Sequence, residues 1–106
     1  MAQSPISVIA GTIPTFAYES ITIDSTVKSL SSIYTDDDGN VAVKAIITIE
    51  TAQIRWRIDG GSPTSSEGHL SNPTDTILLH NSSDIKNFKA TRVSSTSATI
   101  RVSYAG

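Results

Sequence analysis

Asp36, Asp37 and Asp38, followed by Gly39 and Asn40, are the densest set of oxygen donors in the chain. Such a loop invites Ca²⁺, which takes six to eight oxygen ligands. No glutamate stands where an EF-hand loop would close, and Asp, Gly and Asn are also the residues of a solvated hairpin tip. The tip is the plainer reading, and calcium binding is left open. The two histidines, His69 and His80, lack an H-E-x-x-H spacing and a nearby carboxylate pattern. Zinc chemistry needs about three protein ligands in register, so both read as loop or strand-end residues. Serine and threonine are abundant, yet no G-x-S-x-G elbow presents one as a nucleophile. Spacing cannot exclude a glycosidase-type carboxylate pair, because strands bring distant residues together. Nothing here singles one out, and no catalytic residue is assigned.

Two further groups could bind rather than react. Arg55 and Arg57 flank Trp56, and aromatic and basic residues together can hold nucleic acid or sugar. Strand alternation would put Trp56 in the core and both arginines on the outer face, paired with Asp or Glu. Asn81-Ser82-Ser83 fits an N-glycosylation acceptor, which matters only in a secretory pathway.

The elements that must position these residues are strands. Ile21, Ile23 and Val27 alternate with polar residues. The strongest run is Val41 to Glu50, with Val41, Val43, Ala45, Ile47 and Ile49 on one face. Ala42, Lys44, Ile46, Thr48 and Glu50 take the other. Gln53 to Asp59 alternates in the same way, as does Ala98 to Tyr104. Shorter candidates are Ser7 to Ala10, Phe16 to Glu19, Ser29 to Tyr34, Thr76 to His80 and Ile85 to Thr91. Turn signals separate them at Asp59-Gly60-Gly61-Ser62-Pro63, Asn72-Pro73-Thr74-Asp75 and Asn81-Ser82-Ser83-Asp84. This pattern predicts an all-β protein, an antiparallel β-sandwich or jelly-roll-like domain over residues 16–106. Residues 1–15 are interrupted by Pro5, Gly11 and Pro14 and read as an extended N-terminal arm.

Composition narrows the function classes. The 106 residues suffice for one domain, and the absence of cysteine removes disulfides, thiol catalysis and thiolate metal sites. A net charge of −2 supplies no basic excess for phosphates or anionic lipid, so neither nucleic acid nor a membrane is an expected partner. Met1 to Ala10 lacks the positive start of a signal peptide. No cofactor is expected.

From Ile54 onward a larger pattern emerges. Ile54-Arg55-Trp56-Arg57-Ile58-Asp59-Gly60-Gly61-Ser62-Pro63-Thr64, then Gly68-His69-Leu70, resembles the "IRW-x-x-DG-x-x-PT … GH-L" strand and turn of small structural proteins of tailed bacteriophages. Asp84-Ile85, Phe88, Ala90 and Arg92 match the "DI-x-x-F-x-A-x-R" strand that follows, and Ala98 to Tyr104 matches the closing strand. Within this reading Gly68 allows close backbone approach and Leu70 returns to the core. One departure is Thr74, where such sequences carry Gly in an "N-P-G-D" turn; it should alter the turn and leave the fold intact.

The resemblance implies a virion component: a capsid decoration (cement) protein on the capsid surface, or a head- or tail-associated accessory protein. Its partner would be the major capsid protein, and a homo-oligomer, a trimer in particular, would fit local three-fold sites of the shell. Ile6, Val8, Ile9, Ile13 and Phe16 are the candidate contacts, because an extended arm can add main-chain hydrogen bonds to an exposed sheet edge. The alternative is a module binding carbohydrate or another host-surface ligand. It would use exposed aromatics, from Tyr18, Tyr34 and Tyr104, and the loop from Gly60 to Gly68.

Overall fold

The computed structural model describes residues 14–31, 34–35 and 38–106. Its strands are β1 (Thr15–Ile23), β2 (Lys28–Ser29), β3 (Lys44–Glu50), β4 (Ile54–Arg57), β5 (His69–Ser71), β6 (Thr76–Leu79), β7 (Lys89–Arg92) and β8 (Ala98–Ala105), with one short helix, α1 (Ser82–Asn87). The strands form two four-stranded sheets, ordered β1-β8-β3-β6 and β2-β7-β4-β5. Every pairing is antiparallel. The protein is an all-β sandwich, as the alternation predicts.

Alternating residues from both sheets fill the space between them. Ile47, Ile49, Ile100, Val102 and Tyr104 face Ile54, Ala90 and Phe88, all essentially inaccessible to solvent. Each fully buried side chain of this size contributes about 1.5–3 kcal/mol by leaving water. Tyr34 packs edge-on against Tyr104 with ring centroids 6.2 Å apart, and Trp56 stacks on Phe88 at 5.9 Å.

Several sequence expectations fail, each for a local reason, and the strand read from Ser29 to Tyr34 ends at Ser29. Val43 is exposed and Ala42 is buried, opposite to the faces read from Val41 to Glu50. The chain bends at Val43, between the isolated Thr35–Val41 bridge and the start of β3. A one-residue slip sends every side chain before it to the other face. Leu70 does not return to the core but is exposed. Register pairs Ile54 with Ser71 and Arg55 with Leu70, so Ser71 takes the inward position. Ile85 to Thr91 is not one strand: α1 runs to Asn87 and β7 starts at Lys89. Asn81 is the helix N-cap. Its side-chain oxygen accepts from Asp84 N–H at 2.8 Å and its amide donates back to Asp84 at 3.2 Å. The first bond satisfies one of the free N–H groups of the helix's first turn, and the second holds the Asn81 side chain in place, so a helix starts where a strand was expected. Finally, Thr74 does not reshape its turn. Asp75 N–H donates to Asn72 C=O at 3.0 Å, and Thr74 takes φ +77°, the left-handed position that a type II turn gives to glycine.

Candidate functional site

The two outer faces of the sandwich differ. The second sheet is covered by the chain's own loops. Asp59 turns the chain after β4: its carboxylate takes two hydrogen bonds from Arg57, at 3.0 and 2.6 Å, and one from Gly61 N–H at 3.1 Å. These hold the Asp59 carboxyl down at about 2, Arg57 first and Gly61 second. Gly60 takes φ +88° there. The loop then folds back, burying Pro63. Arg55 donates to Gly68 C=O at 3.1 Å beneath it. Gly68 has φ +122°, and a Cβ there would lie 3.1 Å from Trp56 C=O, so the expected close approach is real. On the other side the turn after β1 closes over β7, with Thr91 Oγ1 and Arg92 N–H both donating to Asp24 C=O at 3.1 Å. Between these loops lies a groove of about 440 Å³, lined by Ser25, Thr64, Ser94 and Arg92 together with the apolar Val27, Pro63 and Val93.

Among the described residues no loop is bonded across the outer face of the first sheet. Cross-strand register aligns Tyr18 with Ser103, Ser103 with Ile46, and Ile46 with Leu78. Tyr18, Ile46 and Leu78 are 56%, 43% and 49% exposed. Three large apolar side chains therefore stand in one row on β1, β3 and β6, with Ser103 of β8 between Tyr18 and Ile46.

A polar network borders the row. Arg101 Nε donates to Glu50 at 2.9 Å, and its Nη1 donates to Tyr18 Oη at 3.0 Å and to Ser20 Oγ at 3.1 Å. The hydrogen bonds from Ser20, then Arg101, lower the Tyr18 phenol from its ordinary value, while Glu50 and then Tyr18 raise the Arg101 guanidinium. Arg101 thus anchors the rim of the Tyr18 ring. On the inner side of β1, Tyr104 Oη donates to Glu19, which also accepts from Ser31 N–H at 3.2 Å. Burial, then Glu19, pushes the Tyr104 phenol well up.

Of the residues singled out in the sequence, Ile6, Val8, Ile9 and Ile13 lie outside the described residues, as do Asp36 and Asp37. Phe16 is in β1, half-buried and packed on the core. Asp38 is exposed. His69 opens β5 and packs against Trp56 with the rings tilted and their centroids 4.8 Å apart, and His80 follows β6. Arg57 pairs with Asp59 as expected, but Arg55 finds a carbonyl, and its buried Nε has no hydrogen-bond partner among the described residues. Trp56 is half-buried and donates to Ser71 Oγ at 2.9 Å. Of the three tyrosines only Tyr18 is exposed: Tyr104 is buried, and Tyr34 packs against the core. Among the described residues no three His, Asp or Glu side chains converge to hold a metal, and no helix is long and apolar enough to cross a membrane.

The sequence alone does not single out Ile46 and Leu78 as site residues. The available signal was Ile46 itself, an isoleucine on the polar face of its strand between Lys44 and Thr48. Comparison with protein-family models, curated proteins and solved structures finds no match.

Proposed function

We propose that this protein is a structural virion component, a decoration protein that binds the major capsid protein as a homo-oligomer and does no catalysis. The binding part rests on one observation: the Tyr18–Ile46–Leu78 row on an open sheet face. Interfaces concentrate their affinity in aromatic and arginine anchors surrounded by a polar rim, and Tyr18 with Arg101 has that composition. The virion part rests on the resemblance of Ile54 to Tyr104 to small phage structural proteins. Many copies on one shell make weak individual contacts sufficient. Their effect is mechanical, bridging capsomers against the pressure of packaged DNA.

Cosedimentation with mature and immature tailed-phage shells tests this. Saturable binding to mature shells is expected, with at least tenfold weakening in Tyr18→Ser, the loss that follows removal of an aromatic anchor. Absence of binding to either shell would overturn the capsid assignment. Binding of a glycan array through Tyr18 instead would support the host-surface alternative.

A further inference from the structure

The row of exposed apolar residues ends at an edge. β6 is the last strand of its sheet, paired with β3 on one side and with no strand on the other among the described residues. Thr74 N–H bonds Ile49 C=O and Ile49 N–H bonds Asp75 C=O at the top of this ladder. Hydrogen-bonded and non-bonded pairs alternate down an antiparallel ladder. Ile77 and Leu79 therefore bond to β3, and Thr76 and Leu78 turn their N–H and C=O outward. Edge strands are ordinarily blunted by charge, proline or a bulge. Thr76–Leu79 has none of these, and Leu78 is half exposed. The opposite edge of the sheet is partly guarded, because Ser31 N–H reaches across to Glu19 on β1.

We propose that residues 4–10 of one copy add a strand to the β6 edge of a neighbouring copy, joining copies of this chain into a closed homo-oligomer. The segment has the pattern a β6 partner needs. Ile6, Val8 and Ala10 share one parity, Pro5 stands at its start, and Gly11 ends it. Seven extended residues span about 23 Å, more than the roughly 13 Å of a four-residue strand. One parity lies beside Leu78 and lengthens the Tyr18–Ile46–Leu78 row. The other lies beside Ile77 and Leu79, at the margin of the core. A neighbour's edge is favoured over the copy's own by where the segment joins the fold. Residue 14 precedes β1, at the edge of the sheet opposite β6, about three strand spacings or 14 Å away. Gly106 N–H, at the end of β8, bonds Pro14 C=O and holds residue 14 at that far edge. Reciprocal exchange closes a dimer, and head-to-tail exchange closes a ring. This contact between copies stands whether or not a capsid is the destination.

The test is the mass of the full chain by light scattering, with two full-length variants. The native protein should be oligomeric. Ile6→Lys with Val8→Lys, on the arm, and Leu78→Lys, on the receiving edge, should each be monomeric and keep the native far-ultraviolet spectrum. The cysteine-free background allows a second readout. Val8→Cys copies mixed with Leu78→Cys copies should give a disulfide-linked pair under mild oxidation, well above the yield with exposed Ser95→Cys as partner. A monomeric native chain overturns the proposal. So does an oligomer that survives either lysine variant, or a cross-link no stronger than the Ser95 control.

Discussion

Thr74 occupies a backbone position built for glycine, and replacing it should stabilise the protein. Its φ is +77° in the Asn72–Asp75 turn. A left-handed conformation costs an L-residue about 1–2 kcal/mol, with β-branched residues at the upper end. Threonine gains nothing visible in return: its side chain is exposed, and no hydrogen bond engages its hydroxyl among the described residues. Thr74→Gly removes the strain but adds about 0.5–1 kcal/mol of chain entropy to the unfolded state. The net gain is about 0.5–1 kcal/mol, or roughly 2–8 °C in Tm for a domain near this size. Thr74→Asn gives a second measure, since asparagine tolerates this region without glycine's added entropy. Thr74→Val keeps the branch and should gain nothing. Urea melts and calorimetry of the three variants decide the matter. If Thr74→Gly and Thr74→Asn both melt at or below the native temperature, the strain argument is wrong.

Thr51 has φ +81° and lies in a three-residue turn closed by Ala52 N–H on Glu50 C=O at 3.0 Å; Thr51→Gly should raise Tm by a similar few degrees. Gly68→Ala should destabilise by about 2 kcal/mol or more in denaturant melts, because φ +122° and the Trp56 backbone both reject a Cβ. Tyr104→Phe leaves the half-buried Glu19 carboxylate without its phenol donor and should lose about 1–3 kcal/mol, while Glu19→Gln, which keeps an acceptor, should lose less. Asp59 is held at about 2 against an ordinary 3.8. Its contribution is complete above about pH 4 and disappears as pH falls through about 2, since the unfolded state then binds the proton more readily. Asp59→Asn should flatten the acid limb of a stability–pH curve over that window.

The sequence reading was strongest where alternation ran long. β3 and β8 were legible because Ala45, Ile47 and Ile49, and Ala98, Ile100, Val102 and Tyr104, each repeat every second residue through the core. Phe16 to Glu19 and the Ile21–Ile23 run were legible separately but not as the single strand β1, because half-buried Glu19 breaks the apolar pattern. Tertiary context explains that position: Tyr104 supplies a hydrogen bond that no local pattern records. Helix α1 is under two turns, too short to show a period, although Asn81 and Asp84 carried its capping signal. β5 was lost because three residues cannot show an alternation, which left Leu70 to be read as core. The candidate face was the least legible feature. Its row joins residues from β1, β3 and β6, and only the pairing register brings Tyr18, Ile46 and Leu78 into line.

The two sheets also explain why binding belongs on the first. A sandwich of this size has two outer faces, and backbone polar groups in long connections must find partners. Here the 58–68 loop and the turn after β1 find theirs on the second sheet, at Arg55, Thr91 and Arg92. Those bonds fasten the loops onto that sheet and leave Leu70 as its large exposed apolar side chain. Among the described residues the first sheet receives no such cover, yet its outer row carries tyrosine, isoleucine and leucine beside Ser103. Exposing them gives no folding advantage in isolation, and an arginine held by three partners fixes the tyrosine's rim in place. Fixing a side chain before contact reduces the entropy lost on contact. An ordered aromatic rim beside an exposed apolar row is therefore explained by a partner surface and not by the stability of the single chain.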